Sequence, residues 1–542
     1  MDATSRCRHV DNATNLIEMK ISKQPRETFS LGIFYNGVDK KILKCYNKVN
    51  FIAFTVKAII RRIIMKAKLL KLFTIVLCVS LALFIASCGS KKDENKKPSK
   101  VSQGLEYELN SDGKSYSVVG IGSCKDTEII IPGFYEDLLV TSIGDEAFRY
   151  CSSLTSVEIG DSVESIGDRA FSECYSLTSI VIGDSVESIG EYAFEDCDSL
   201  TSVVIGDSVT SIGSYAFMYC SSLTSVEIPN SVKSIGNSAF SNCYSLTSVE
   251  IPYSVTSIGD FAFYGCESLT SVEICGSVMS IGKGAFNSCD SLTSIEVSEE
   301  NEAYKSIDGN IYSKDGKTLV QYAIGKTDKE FVTPNSVMSI GYGAFEGCSS
   351  LTSVIIPDSV ESIGEYAFED CDSLTSVEIG DSVTSIGGWA FYSCSSLTSV
   401  VIGDSVTSIG VVAFARCDSL TSVEIGESVT SIGDSAFSNC YNLTSIVIPD
   451  SVTSIGYCAF SGCSSLTSVV IGDSVESIGA LAFRYCDGLT SVTFNDTTTW
   501  YVTINFDYTG GTQIDVTNPS QNAKYLTSTY YDYYYEYYWY KK

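Results

Sequence analysis

The chain has 542 residues, 44% hydrophobic and 19% charged, with 65 acidic side chains against 36 basic ones and a single histidine. A formal charge of −29 argues against nucleic acid as a partner, because phosphate binding needs clustered Lys and Arg. That histidine lies ahead of the cleavage site read below, so the mature chain holds none, which removes Ser-His-Asp and Cys-His nucleophiles and His-ligated zinc. Carboxylate pairs could still cleave glycosidic bonds, but the Asp and Glu recur at coil positions and are not set apart in a cleft, so no enzyme, cofactor or metal is expected.

Residues 1–64 have mixed composition, no repeat and that one histidine, His9. They are read as a non-native upstream extension, because Met65 opens a second start. Lys66, Lys68 and Lys71 form a basic head, an apolar run follows from Leu72, and Ile85-Ala86-Ser87-Cys88 matches the lipobox of bacterial lipoprotein signal peptides. Residues 65–87 are then a signal peptide and Cys88 is the lipidated residue. A plain transmembrane anchor is the competing reading, since the run is only about long enough to span. Several acyl chains at Cys88 give firm membrane attachment, whereas one alone is marginal. The address is therefore the bacterial cell envelope, with a lipid anchor and surface exposure expected.

Residues 88–103, with Lys91, Lys92, Lys96 and Lys97, read as a polar tether. From Cys88 onward 21 basic and 60 acidic residues remain, a formal charge of −39. Such a charge favours solubility and basic partners. Residues 104–139 lack any period, but two strands flank Asp112-Gly113, which suits an N-terminal hairpin cap over the first coil of a solenoid.

A period of 23 residues then governs 140–297 and 336–494. Cysteines mark it at Cys151, Cys174, Cys197, Cys220, Cys243, Cys266 and Cys289, and again from Cys348 to Cys486. Ser-Ile-Gly recurs 14 times, from Ser142-Ile143-Gly144 to Ser477-Ile478-Gly479. Within a unit Leu154, Val157, Ile159, Val163, Ile166, Ala170, Phe171 and Cys174 are apolar in a polar jacket. Val157-Glu158-Ile159 alternates in and out as a short strand, and Gly160-Asp161-Ser162 turns the chain. One coil cannot stand alone. Burying about eight side chains gives on the order of 10 to 20 kcal/mol, against about 35 to order the unit, so stacking must supply the rest. Fourteen coils at a strand spacing of about 4.8 Å make a rod or arc on the order of 70 Å long.

The pattern Leu-x-x-Val-x-Ile-x-x-x-Val-x-x-Ile-x-x-x-Ala-Phe-x-x-Cys resembles the BspA-type leucine-rich repeat of bacterial surface proteins, which also occurs in some parasitic protists. The likeness covers about Val140 to Phe494. It implies a mainly β fold, a single leucine-rich-repeat solenoid of about 14 coils with a hairpin N-cap, one inserted hairpin and a β-rich C-terminal cap. It also implies an extracellular protein or glycoprotein as ligand, since the family includes adhesins for matrix and plasma glycoproteins.

Residues 298–335 interrupt the period with two aromatic and β-branched runs joined by Lys314-Asp315-Gly316-Lys317. The insert is either a structural splice between two stacks or a protruding loop that touches a ligand. Residues 495–542 form a terminal cap, read as strands from Trp500 to Leu526. The Tyr/Trp cluster from Tyr530 to Tyr540 is either a tail or cap edge, or a platform on which sugars stack.

Three columns invite chemistry. The cysteine at each core position reads as a small buried hydrophobe, although neighbouring rungs lie within disulfide reach, and no Cys-x-x-Cys spacing points to zinc. Unpaired thiols outside the cytoplasm would fit a reducing habitat. Asp161, Asp184, Asp207, Asp358, Asp381 and Asp404 follow Gly or Pro and read as turn residues. The outward strand column carries the candidate ligand-binding residues Glu158, Glu227, Glu250, Glu273, Glu296, Glu378 and Glu424, interspersed with Val181, Val204, Ile355, Val401, Val447 and Val470. Stacked like charges destabilise a sheet in isolation, and a basic partner, cations or salt screening relieves that. The expectation is a monomeric, surface-anchored adhesion solenoid that binds through this face. A passive envelope spacer is the alternative, and carbohydrate binding through the aromatic tail a remote one.

Overall fold

A computed structural model of the chain describes residues 101–504, 510–527 and 538–541; the leader and Cys88 lie outside the described residues. The described part is a mainly β parallel solenoid of about 17 turns, with 2% helix. The Ser-Ile-Gly anchors number 14; the further turns come from the two ends and the insert, which lack that anchor.

Each coil has three sides. The first is a strand such as Ser202–Val204, paired in parallel with Ser179–Val181 before it and Ser225–Glu227 after it. The second is a two-residue Ser-Ile strand, as at Ser211–Ile212, again flanked in parallel by its equivalents. The third is a turn built on Ala-Phe. Here two residues per coil adopt the left-handed conformation, most of them bearing side chains, for example Tyr192 at φ 57° and Asp196 at φ 55°. That conformation costs roughly 1 kcal/mol per residue. It persists because it aims the N–H groups of Tyr192, Phe194 and Asp196 at the carbonyls of Ser214, Ala216 and Met218, 2.9, 2.7 and 2.9 Å away.

The core follows from the repeat. In one coil Leu177, Ile180, Ile182, Val186, Ile189, Ala193, Phe194 and Cys197 are at most 2% exposed. Phenylalanine rings stack from Phe148 to Phe286 at 5.0 to 5.6 Å and from Phe345 to Phe483 at 4.7 to 5.4 Å. The anchor glycine is needed because a Cβ on Gly190 would lie 2.6 Å from the Gly167 carbonyl carbon of the preceding coil. The cysteine does more than fill space. Cys174 donates its thiol to the Phe148 carbonyl at 3.2 Å, and the bond recurs up the ladder to Cys486 on Phe460 at 3.1 Å.

The N-terminal cap is an antiparallel hairpin, Glu106–Leu109 with Ser115–Gly120, whose second strand pairs in parallel with Leu138–Ile143. At the insert the chain forms not one hairpin but a three-stranded meander. Tyr304–Ile307 pairs with Asn310–Ser313, which pairs across the Lys314–Lys317 turn with Thr318–Gln321. The last of these strands continues in parallel into Ser339–Ile340 of the second stack. Ile311 and Ala323 join the core of the first stack, while Tyr312, Leu319, Tyr322 and Ile324 join that of the second. Tyr322 takes the place of a phenylalanine, stacking on Phe345 at 5.1 Å. Buried Asn301 pins the junction: its Nδ2 donates to the Cys275 and Val278 carbonyls, and its Oδ1 accepts from the Ala303 and Tyr304 N–H groups. The insert is thus a splice, with its apolar side chains spent on the two cores.

The C-terminal cap departs from an all-strand reading. Strands Trp500–Thr503 and Thr512–Ile514 are followed by a helix, Pro519–Thr527. Asn518 caps that helix by accepting the Gln521 N–H on its side-chain oxygen, and proline occupies its first position. Tyr538–Lys541 closes the Ser-Ile sheet, pairing antiparallel with Ser477-Ile478. Trp539 and Tyr540 are buried by that pairing; the rest of the aromatic cluster, 530–537, lies outside the described residues.

Candidate functional site

A repetitive exposed surface runs along the strand face of the first side. Alternation places Val and Ile inward, so the residue between them points to solvent, and parallel pairing without offset lines these residues up. Glu227 stands opposite Glu250, Glu250 opposite Glu273, and Glu273 opposite Glu296. Glu158, Glu378 and Glu424 occupy the same column, and all seven glutamates are exposed. Neighbouring unit charges about 5 Å apart in water repel by roughly 0.8 kcal/mol, less in salt. Among the described residues none of the seven is paired with a cation within 4.0 Å.

The column is not uniformly acidic. Val181 and Val204 are 55% and 56% exposed beside the four-glutamate run, and Val401 and Val447 are comparably exposed in the second stack. The structure adds Val332, 61% exposed and paired with Ile355, to this apolar series. The sequence period does not mark Val332, because Glu330-Phe331-Val332 lacks the Thr-Ser-Val consensus; only its β-branched residues hint at a strand. The junction ends the first sheet of this face at Ser294–Val297, and a second begins at Glu330–Val332; a third, from Ser445–Ile448, completes the face.

The other columns are structural. The Asp184, Asp358 and Asp404 side chains accept the N–H of the residue one coil on, at 3.3, 3.0 and 3.0 Å. That is turn chemistry repeated between coils. The ladder thiols are buried donors, and burial pushes Cys174 up to about 12 and holds Cys197 and Cys220 well above their ordinary value. A protonated, enclosed thiol is neither a nucleophile nor a metal ligand.

A second cluster lies at the junction, where sequence separation hides it. Asn287 Nδ2 donates to Glu346 Oε2 at 2.6 Å, both residues being less than a tenth exposed, while Asn287 Oδ1 has no partner. Burial raises Glu346 to about 7, and burial with the Glu346 charge raises Glu369 to about 8. Asp370 is raised too, chiefly by burial. Tyr342 and Tyr366 pack beside them at 5.1 Å, with Lys283 over the Tyr342 ring.

Among the described residues no helix is long and apolar enough to cross a membrane. Four overlapping matches to the BspA type leucine rich repeat region span residues 123–244, 210–323, 317–444 and 430–531. Among solved structures, the chain is similar to a leucine rich cell surface protein from Faecalibacterium prausnitzii, with 34% identity over 69% of this chain and 95% of that one, at a TM-score of 0.57. It is also similar to a leucine-rich repeat protein from Bacteroides ovatus, with 30% identity over 74% of this chain and 100% of that one, at a TM-score of 0.49. No curated protein sequence matches. With its repeats matched from residue 123 to residue 531, the chain belongs to the BspA-type leucine-rich-repeat family.

Proposed function

We propose that the chain is a surface-anchored binding solenoid, an adhesion protein that recognises a glycoprotein of a host or neighbouring cell through its strand face. The observation that carries this reading is the in-register run Glu227, Glu250, Glu273 and Glu296, unneutralised and bordered by exposed Val181 and Val204. A partner presenting a basic stripe beside an apolar ridge relieves the repulsion along the run and removes the two valines from water. The likeness to a leucine rich cell surface protein supports the location. Attachment through lipid at Cys88 completes the proposal, and incorporation of labelled palmitate that Cys88→Ser abolishes would support it.

The test is binding of the chain to a panel of matrix and plasma glycoproteins, beside a variant with the four glutamates changed to Lys. Saturable binding lost in the variant is the expected result. Binding of undiminished affinity in the variant removes the acidic run from the site, and no binding across the panel leaves a spacer without a ligand.

A further inference from the structure

The turn side of the solenoid is held by forward hydrogen bonds, and one coil breaks the rule. Between Glu146 and Gly462, twelve coils each donate three N–H groups to the coil that follows. Phe261, Phe263 and Gly265, for instance, donate to the carbonyls of Lys283, Ala285 and Asn287, each at 2.9 Å. In the next coil the equivalent N–H groups of Gly284, Phe286 and Ser288 have no partner among the described residues, although Phe286 is only 1% exposed. Across the junction the Tyr342 and Glu346 carbonyls, which occupy accepting positions, receive no such bond. Only the Ala344 carbonyl is used, by the Tyr322 N–H at 2.8 Å.

The break coincides with a cleft. A space of about 160 Å³ lies between residues 281–286 on one wall and Val320, Gln321, Gly341 and Tyr342 on the other. That is room for about five water molecules. Its lining is apolar apart from Lys283, Thr318 and Gln321, and Gln321 already donates to the Tyr322 carbonyl. Open donors on an apolar wall leave a buried N–H at a penalty of about 1 to 3 kcal/mol each.

We propose that this cleft is a peptide-binding slot, taking a short segment of small residues whose alternate carbonyls accept the Gly284 and Phe286 N–H groups as the missing coil would. The donors decide the ligand class. Gly284 and Phe286 are two positions apart and stand where Phe261 and Phe263 donate to the Lys283 and Ala285 carbonyls, so their acceptors must be spaced like peptide carbonyls two residues apart. The oxygens of one carboxylate or phosphate lie too close together to serve both.

Residue-resolved amide hydrogen exchange on the full chain tests this, with acetyl-Ala-Ala-Ala-amide at millimolar concentration as the probe and acetate as the control. Without peptide, the Gly284 and Phe286 amides should exchange at least tenfold faster than Phe261 and Phe263. Saturating peptide should slow them at least fivefold, and acetate should not. Val320→Trp, which fills the cleft from a half-exposed position, should abolish the effect, whereas Lys283→Ala should keep it. Four results overturn the proposal: amides as protected as their neighbours without ligand, no slowing by peptide, equal slowing by acetate, or loss of slowing in Lys283→Ala.

Discussion

Glu346→Gln offers the sharpest test of the electrostatics at the junction. Burial raises the Glu346 carboxyl from its ordinary 4.5 to about 7, against the lowering effect of the Asn287 amide. That change corresponds to roughly 3 kcal/mol between the two protonation states. Because the folded-state value is raised, the native chain binds the proton more tightly than the unfolded one. Stability from this group is therefore fully present below about pH 4.5 and is lost as pH rises through about 7. The charges that face it make recovery worse: Glu369 is itself pushed up to about 8, and Asp370 is raised, while Lys283 stands over the Tyr342 ring. Glutamine keeps an acceptor for Asn287 Nδ2, offers a donor to the orphaned Asn287 Oδ1, and never ionises. The assay is exchange protection at Gly343, Phe345 and Gly347, corrected for the intrinsic pH dependence, because a solenoid opens locally rather than as one unit. The part of the protection that Glu346 carries should fall by up to about 100-fold between pH 5 and pH 7, and Glu346→Gln should remove that part while the fall carried by Glu369 near pH 8 remains. A variant that keeps the full pH dependence would refute the assignment to Glu346.

Three further predictions follow from the coil. Phe391→Ala removes a ring stacked at 4.9 Å on Phe368 and 5.0 Å on Phe414, so it should destabilise its own and adjoining coils by about 3 to 5 kcal/mol, read as lost exchange protection there and not in the first stack. Iodoacetamide at pH 8 should label half-buried Cys151 well before Cys197, Cys220 or Cys266, which should react only on unfolding; early labelling of those three would contradict their enclosure. Asn301→Ala strips the junction of four hydrogen bonds and should cost about 3 kcal/mol, seen as faster exchange at Ala303 and Tyr304 with the distal coils unchanged.

The coil itself was legible because one set of physical constraints is written many times. Leu177, Ile180 and Phe194 sit inward for the same reason as their equivalents 23 residues away, and the Glu/Val column follows from period-two alternation alone. The three-sided section was less legible, since a two-residue strand such as Ser211–Ile212 leaves no pattern beyond its own anchor. The C-terminal helix was signalled locally by Asn518 and Pro519 but masked by the β-branched and aromatic residues around it.

The junction resisted reading for a different reason: its contacts are unique. Tyr322 stands in for a phenylalanine with no period to announce it, and Asn287 meets Glu346 across 59 residues. A repeat spreads its hydrogen bonds evenly, so any coil that departs from the rule leaves donors or charges that its neighbours do not have. In this chain such departures gather at the junction, in the open N–H groups of Gly284 and Phe286 and in the buried carboxyl of Glu346. The strand face, by contrast, offers many near-equivalent positions, so a single change there should weaken a partner little and only a run of changes should release it. Specificity along such a face must come from where the column switches from Glu to Val, at Val204 to Glu227 and at Val401 to Glu424.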